Sequence, residues 1–347
     1  MIKKLTILVL VHPDLMPPNS VCNIKIFKKK YIPWKTEFDV ISALRELGHE
    51  VLILGVLNTL SDLDKILTST KVDFVFNLVE EFKGKVELDY KITEFLEKYK
   101  VNFSGCSSNS LIIGRDKSKS KIEVLKTGIK TPKHYVFKKN NRIEFSKYSI
   151  RFPLIVKCLK EEASYGITKK SIVHSLSKLK ERIRYVHSEL GVDCIAEEFI
   201  EGQEIYVSAF KKEGNKYEVL PPRKLFFPQS NRPDKEIYTS AAKWSYAYAK
   251  KYKIHTRHFR ASELVIKRLE KSMLTICSCL KVDGQARADF RVTPEGEIYF
   301  IELNPNPNLA NDDDFALSAK RKFKSYEEVI NQVIQCGFQR GLTKKAA

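Results

Sequence analysis

Apolar residues fall into short unbroken runs early in the chain and into alternating runs late in it. LTILVLV (5–11) has no regularly placed polar position, as expected of a strand covered on both faces. VLILGVL (51–57) and KVDFVFNL (71–78) repeat the pattern. Between the first two, TEFDVISALRELGHEV (36–51) sets Phe38, Ile41, Leu44 and Leu47 at helical spacing, with Gly48 as the stop. A further helix is predicted around LDYKITEFLEKYK (88–100), and VNFSGCSSNS (101–110) reads as strand then turn. This alternation predicts a doubly wound parallel α/β sheet over about the first 115 residues. It carries no G-x-G-x-x-G, so a Rossmann dinucleotide site is not supported.

The pattern changes after Gly114. RDKSKSKIEVLKTGIKTP (115–132) is a polar start, a helix and a Gly/Pro stop. FPLIVKCLKEEASYGITKKS (152–171) runs a strand (154–156) into Lys157, then a loop with Ala163, Ser164 and Gly166. Small residues let backbone N–H groups approach a phosphate, but a plain hairpin turn explains the same letters, and G-K-[ST] is missing. In DCIAEEFIEGQEIYVSAF (193–210), Glu197, Glu198 and Glu204 crowd a turn at Gly202, as solvated acids or as one edge of a ligand site.

The last block, DGQARADFRVTPEGEIYFIELNPNPNL (283–309), predicts two alternating strands joined at TPEGE. Period-two alternation puts Arg287 with Asp289 on one face of the first strand, and Glu302 with Asn304 on one face of the second. In a hairpin Asp289 then lies across from Glu302 and Asn304. Two carboxylates at that range repel unless a cation sits between them, and hard oxygen donors suit magnesium. Pro305 and Pro307 fix the strand end.

Composition narrows the classes. A chain of 347 residues with 43% hydrophobic content supports two or three domains with real cores. Its seven cysteines are scattered without C-x-x-C, which argues for reduced thiols in a cytoplasmic protein and against a zinc site. MIKKLTILVLVHPD lacks a small-residue cleavage site and reads as a first strand, not a signal peptide. No apolar stretch reaches the ~20 residues of a membrane helix. The net charge of +19 comes from lysines spread along the chain (FKKKY, KSKSK, FKKNN, AKKYKI, KRKFK), without stacking aromatics at regular spacing. That favours a solvated surface and anionic small substrates over nucleic acid.

The order Lys117, Lys157, small-residue loop, EEFIEGQE, AAKW, ARADF, FIELNPNPNL resembles the ATP-grasp ligases, and within them the D-alanine–D-alanine ligase group. It spans about residues 70–335, more loosely the N-terminal domain, and its R-x-D…E-x-N pair is the most specific part. The resemblance implies an N-terminal α/β domain (1–115), then an ATP-grasp fold of two α+β subdomains. The first (116–205) carries the phosphate loop, and the second (206–347) the metal and substrate residues. It implies a ligase that uses ATP to turn a carboxylate into an acyl-phosphate, which an amine attacks, releasing ADP and phosphate. ATP would meet Lys117, Lys157 and Ser164. Glu197, Glu198 and Ile200 would frame the adenine, Glu204 would hold the ribose and Lys243 would reach the γ-phosphate. Asp289, Glu302 and Asn304 would hold two Mg2+ ions, with Mn2+ as a substitute. Arg287 would stabilise developing charge, and Asn306, Asp313 and Asp314 would meet substrate. The partners would be a small-molecule carboxylate and an amine, with no membrane and no nucleic acid, and a homodimer left open. Positioning and cationic charge suffice for such phosphoryl chemistry.

Departures from the group are as informative. Its acidic–serine motif after the first strand is replaced by VHPDLMPPNSVCNIKIFKKKYIPWKTEF (11–38), where Glu37 is the nearest acid. Its serine pair in the phosphate loop becomes Ala163–Ser164. NDDD (311–314) stands where the second substrate's carboxylate binds in the group, and it reads as a field selecting a cationic amine or as a cap on a helix near Phe315. Three functions stay open: a carboxylate–amine ligase with other substrates, a D-alanine–D-alanine ligase proper, and a non-catalytic nucleotide-binding relative.

Overall fold

A computed structural model describes residues 3–18, 32–161, 164–214 and 216–343. Ala163, Cys22 and the FKKKY lysines lie outside them. The first apolar run forms β1 (Thr6–Val11), buried from Ile7 onward. Helix α1 (Lys35–Glu46) follows and is closed by Gly48 at φ +82°, a conformation open to glycine at little cost. Then come β2 (Glu50–Gly55), α2 (Ser61–Ser69) and β3 (Phe74–Asn77), giving a parallel sheet of order β2-β1-β3.

After α3 (Tyr90–Lys98), the strand expected at 101–110 is reduced to one parallel bridge between Phe103 and Val75. The reason lies in where its backbone bonds go. Gly105 turns at φ +81° and donates to Gln285 Oε1 at 3.2 Å, and Ser107 N donates to Asp283 Oδ1 at 2.7 Å. The chain then enters α4 (Ser108–Arg115) and α5 (Lys117–Leu125), with the Asp116 side chain capping α5.

The next unit holds β4 (His134–Phe137), β5 (Leu154–Cys158), β6 (Ile172–Val173), α6 (Leu176–Ser188) and β7 (Cys194–Glu198). Its antiparallel sheet has the order β4-β7-β5-β6. A larger sheet follows from β8 (Gln203–Lys211), β9 (Tyr217–Val219), β10 (Arg223–Phe226), β11 (His255–His258), β12 (Gln285–Val292) and β13 (Ile298–Asn304). It is ordered β11-β10-β8-β12-β13, with β9 on β8. Helices α7 (Ser240–Trp244), α8 (Tyr246–Lys251), α9 (Glu263–Cys279), α10 (Asp314–Ala319) and α11 (Tyr326–Thr343) complete the chain.

Leu269, Met273 and Ile276 of α9 bury one face of this sheet against Ile205, Val207, Ala288 and Phe290, which leaves the opposite face for polar residues. The span 206–347 is not closed on itself. Val329, Ile330, Val333 and Ile334 of α11 share a core with Ile7, Val9, Phe74 and Phe76. Arg340 pins that return by donating to the carbonyls of Phe103 and Gly105. Among the described residues, no helix is long and apolar enough to cross a membrane, and six cysteines are free.

Candidate active site

The β12–β13 hairpin sets the geometry. Its register pairs Asp289 with Glu302 and Arg287 with Asn304. The row continues across the sheet, Asp289 beside Tyr206 and Tyr206 beside Arg223. Directly opposed residues share a face, so Glu302, Asp289, Tyr206 and Arg223 form one polar line on the side away from α9.

Arg287 donates to both Asp289 oxygens, at 2.8 and 3.0 Å, and its guanidinium lies 4.6 Å from the Tyr206 ring centre. Burial pushes the Asp289 carboxyl up to about 7; Arg287 opposes this, while Glu302 and Glu204 add to it. Glu302 goes the other way. Burial opposes its charge, but Lys117, Lys157 and Lys121 hold it down to about 2. Lys117 Nζ stands 3.3 Å from Glu302 Oε2 and donates to the Glu161 carbonyl.

Between the four-stranded and larger sheets opens a cleft of about 770 Å3, adjoining solvent included. Lys117, Lys157, Ser164, Glu197, Glu198, Ile200, Glu204, Asp289 and Glu302 line it, all of them expected at the site. Arg287 and Asn304 are their immediate neighbours in the hairpin. Ser164 at φ +60° and Gly166 at φ +69° bend the loop after β5, and a Cβ on Gly166 would strike Leu190. Helix α7 docks on this loop, Ser240 N donating to Ile167 O at 3.0 Å and Ser240 Oγ to Ser164 O. Lys243, on the same helix, is exposed and does not line the cleft.

Glu197 is not a solvated acid. It is 1% exposed and sits between Lys121 Nζ at 2.8 Å and Lys157 Nζ at 3.0 Å. Burial works against its charge, yet the two lysines hold the carboxyl down to about 2. Its Oε1 faces Lys121 and its Oε2 faces Lys157. Glu198 is exposed at the strand end, and Glu204 accepts from the Tyr206 hydroxyl at 2.8 Å.

The three aspartates do not act as one field. Asp312 is exposed and pairs with Lys35 at 2.6 Å. Asp314 accepts from Arg223 Nε at 2.9 Å and from Thr256 Oγ1. Asp313 caps α10 through Asp314 N at 2.7 Å. The cap reading thus matches the geometry; Asp313 is within the field of Arg287 and Lys243, and Asp314 acts on Arg287 as well. Asn306 N donates to Asn304 Oδ1 at 3.0 Å, a short turn locked by two buried prolines.

Among the described residues no group of three His, Cys, Asp or Glu side chains could hold a metal ion. The donor set that fits one is mixed: two opposed, mutually repelling carboxylates, Asp289 and Glu302, with the Asn304 amide beside them. Hard oxygens of that kind suit Mg2+. Sequence reasoning missed Lys121, read as one more surface lysine of KSKSK. Its spacing from Lys117, one helical turn along α5, was the available signal.

An α/β unit leading into two antiparallel sheets that face lysines and carboxylates across one cleft defines an ATP-grasp ligase, an ATP-dependent enzyme that forms an amide bond. Residues 123–335 match the family model described as D-ala D-ala ligase C-terminus, and the chain belongs to that family. It is 30% identical over 310 residues to a D-alanine–D-alanine ligase of Aquifex aeolicus, covering 88% of this chain and 96% of that one. It is 25% identical over 316 residues to the uncharacterized protein y4sG of Sinorhizobium fredii, covering 89% and 90%. The ATP-complexed D-alanine–D-alanine ligase structure from Bacillus anthracis superimposes with a TM-score of 0.73 at 21% identity, over 98% of this chain and 99% of that one, a likeness of fold.

Proposed function

We propose that this chain joins a carboxylate to an amine through an acyl-phosphate, releasing ADP and phosphate, with the nucleotide in the cleft between the two sheets. The observation that carries the reading is the convergence of Lys117 and Lys157 with Asp289 and Glu302 on one cleft. Lys157 is 11% exposed and meets the cleft with its ammonium, a cation suited to a phosphate or base oxygen. Glu197 and Glu198 lie on the cleft wall and are the candidates to frame the adenine. Glu204 is the candidate for the ribose. Asp289, Glu302 and Asn304 would hold Mg2+, which when bound offsets phosphate charge. Arg287, fixed by Asp289, would stabilise the charge that develops on the reacting carboxylate, and Lys243 would reach the γ-phosphate only if α7 closed further over the cleft.

The relatives' names point to D-alanine for both substrates. The acid that replaces a carboxylate-binding side chain at Asp313 favours an amine without a free carboxylate, or one with added positive charge. The test is ADP release against a panel of carboxylates crossed with amines and amino acids. Turnover requiring both a carboxylate and an amine is expected, while ATP hydrolysis indifferent to both would defeat the reading. Lys157→Met is expected to weaken nucleotide binding by about 1.5–3 kcal/mol, the range for a hydrogen bond to a charged group. Unchanged affinity would mean that the nucleotide lies elsewhere.

A further inference from the structure

Lys121 is 0% exposed, rare for a lysine, and three elements meet at its ammonium. It leaves α5, donates to the Ile301 carbonyl of β13, and stands 2.8 Å from Glu197 Oε1 on β7. At that distance the contact with Glu197 is a close buried ion pair. The other oxygen of the same carboxylate accepts from Lys157 Nζ at 3.0 Å. Two lysines therefore share one buried carboxylate, and since the next acid, Glu302, is met by Lys117 at 3.3 Å, the three lysines and two carboxylates keep a net charge of +1.

Stability does not explain this. Removing an ammonium from water costs several kcal/mol, and an apolar side chain would fill the same space at lower cost. Charge balance does explain it. If Lys157 alone faced Glu197, the pair would be neutral and Lys157 would be drawn toward the carboxylate, away from the cleft. With Lys121 taking part of Glu197's charge, one positive charge is left over, and Lys157 is the member that borders the cleft. Burial and the neighbouring Lys157 lower the pKa of Lys121, while Glu197 and Glu302 outweigh burial at Lys157 and raise its pKa, so the proton is held most firmly on the lysine that faces the ligand.

We infer that Lys121 is a positioning residue for the nucleotide: it occupies Glu197 so that Lys157 keeps an uncompensated charge directed at the phosphates. The inference rests on the nucleotide reading of the cleft. It is tested by a double-mutant cycle on ADP affinity, measured by calorimetry, with steady-state kinetics alongside. Lys121→Met is expected to weaken ADP binding about tenfold and raise KM for ATP to match, leaving kcat and the amine KM within about threefold. In a Glu197→Gln background the same change should have almost no effect, because the carboxylate that Lys121 occupies is gone. Lys121→Arg, which keeps the charge, should hold affinity within about threefold and serves if the methionine variant does not fold. Equal losses in both backgrounds, or wild-type affinity in Lys121→Met, would overturn the inference and make Lys121 a tie between β7 and β13 only. Weakened binding in Lys157→Met beside intact binding in Lys121→Met would sink this inference alone. Intact binding in both would remove the nucleotide reading beneath it.

Discussion

Arg287 holds Asp289 through two parallel hydrogen bonds, Nε to Oδ1 at 2.8 Å and Nη2 to Oδ2 at 3.0 Å. The same carboxylate faces Glu302 across the hairpin. One acid would thus serve two purposes: it aims the arginine and, in the proposed reading, it would offer oxygen to a cation. We predict that Asp289→Asn and Glu302→Gln both abolish turnover. Their side effects should differ. Asp289→Asn leaves the buried Arg287 short of its counter-charge and should lower the melting temperature, whereas Glu302→Gln frees the cleft-side Lys117 and should alter stability less. Circular dichroism melts beside ADP-release assays check this, and wild-type turnover in either variant would refute the metal assignment.

That hairpin was legible because alternation with period two is a strong local pattern, and TPEGE marks its turn. The parallel sheet was legible for a similar reason, since an apolar run such as LTILVLV has only one comfortable environment. Lys121 was not legible as a buried residue, because a lysine among lysines gives no sign of which one the fold turns inward. Glu197 could be read as a solvated acid or as the edge of a ligand site for the same reason: its burial depends on β5 and α5, which are distant in sequence. The aspartates of NDDD misled in the opposite direction. Their charges add in the sequence, but Lys35 and Arg223, 277 and 91 residues away, take up two of them. The strand expected at 101–110 failed because its backbone partners lie near 283–285.

Glu37 gives a prediction about pH. It is 3% exposed and its Oε2 has no hydrogen-bond partner. Burial first, then Glu80 and Asp39, push the carboxyl from 4.5 up to about 7, against its own backbone N–H. A carboxyl with a raised folded pKa contributes fully below the unfolded value, and that contribution is lost as pH rises through the folded value. Wild-type stability should therefore fall between about pH 4.5 and pH 7 relative to Glu37→Gln, by at most about 3 kcal/mol at 1.36 kcal/mol per unit. Urea midpoints of the two proteins at pH 5 and pH 8 measure the difference. Parallel pH profiles would show that Glu37 ionises freely in the fold.

The last prediction concerns the amine. Asp312 is paired to Lys35 and Asp314 to Arg223, while Asp313, which lacks such an ion pair, is within the field of Arg287 and Lys243. Its carboxyl is pushed up to about 6, by burial first and then by Asp314, with Arg287 and Lys243 opposing. A charge near the reaction centre discriminates by repelling a free carboxylate on the incoming amine and by attracting a cation. Asp313→Asn should accordingly raise KM for a cationic amine, lower it for a matched amino acid, and leave KM for ATP nearly constant. Asp312→Asn should change none of these, because Asp312 is itself exposed and its partner Lys35 lies outside the cleft. Asp314→Asn should act through stability, losing about 1–3 kcal/mol as Arg223 loses its charged acceptor. The pH profile separates charge from shape: in the wild type the preference for the cationic amine should fade as pH drops through about 6, and in Asp313→Asn it should be flat. The measurement is steady-state kinetics with the matched pair at two salt concentrations. Wild-type preference in Asp313→Asn would leave the residue as a helix cap with no part in choosing the nucleophile.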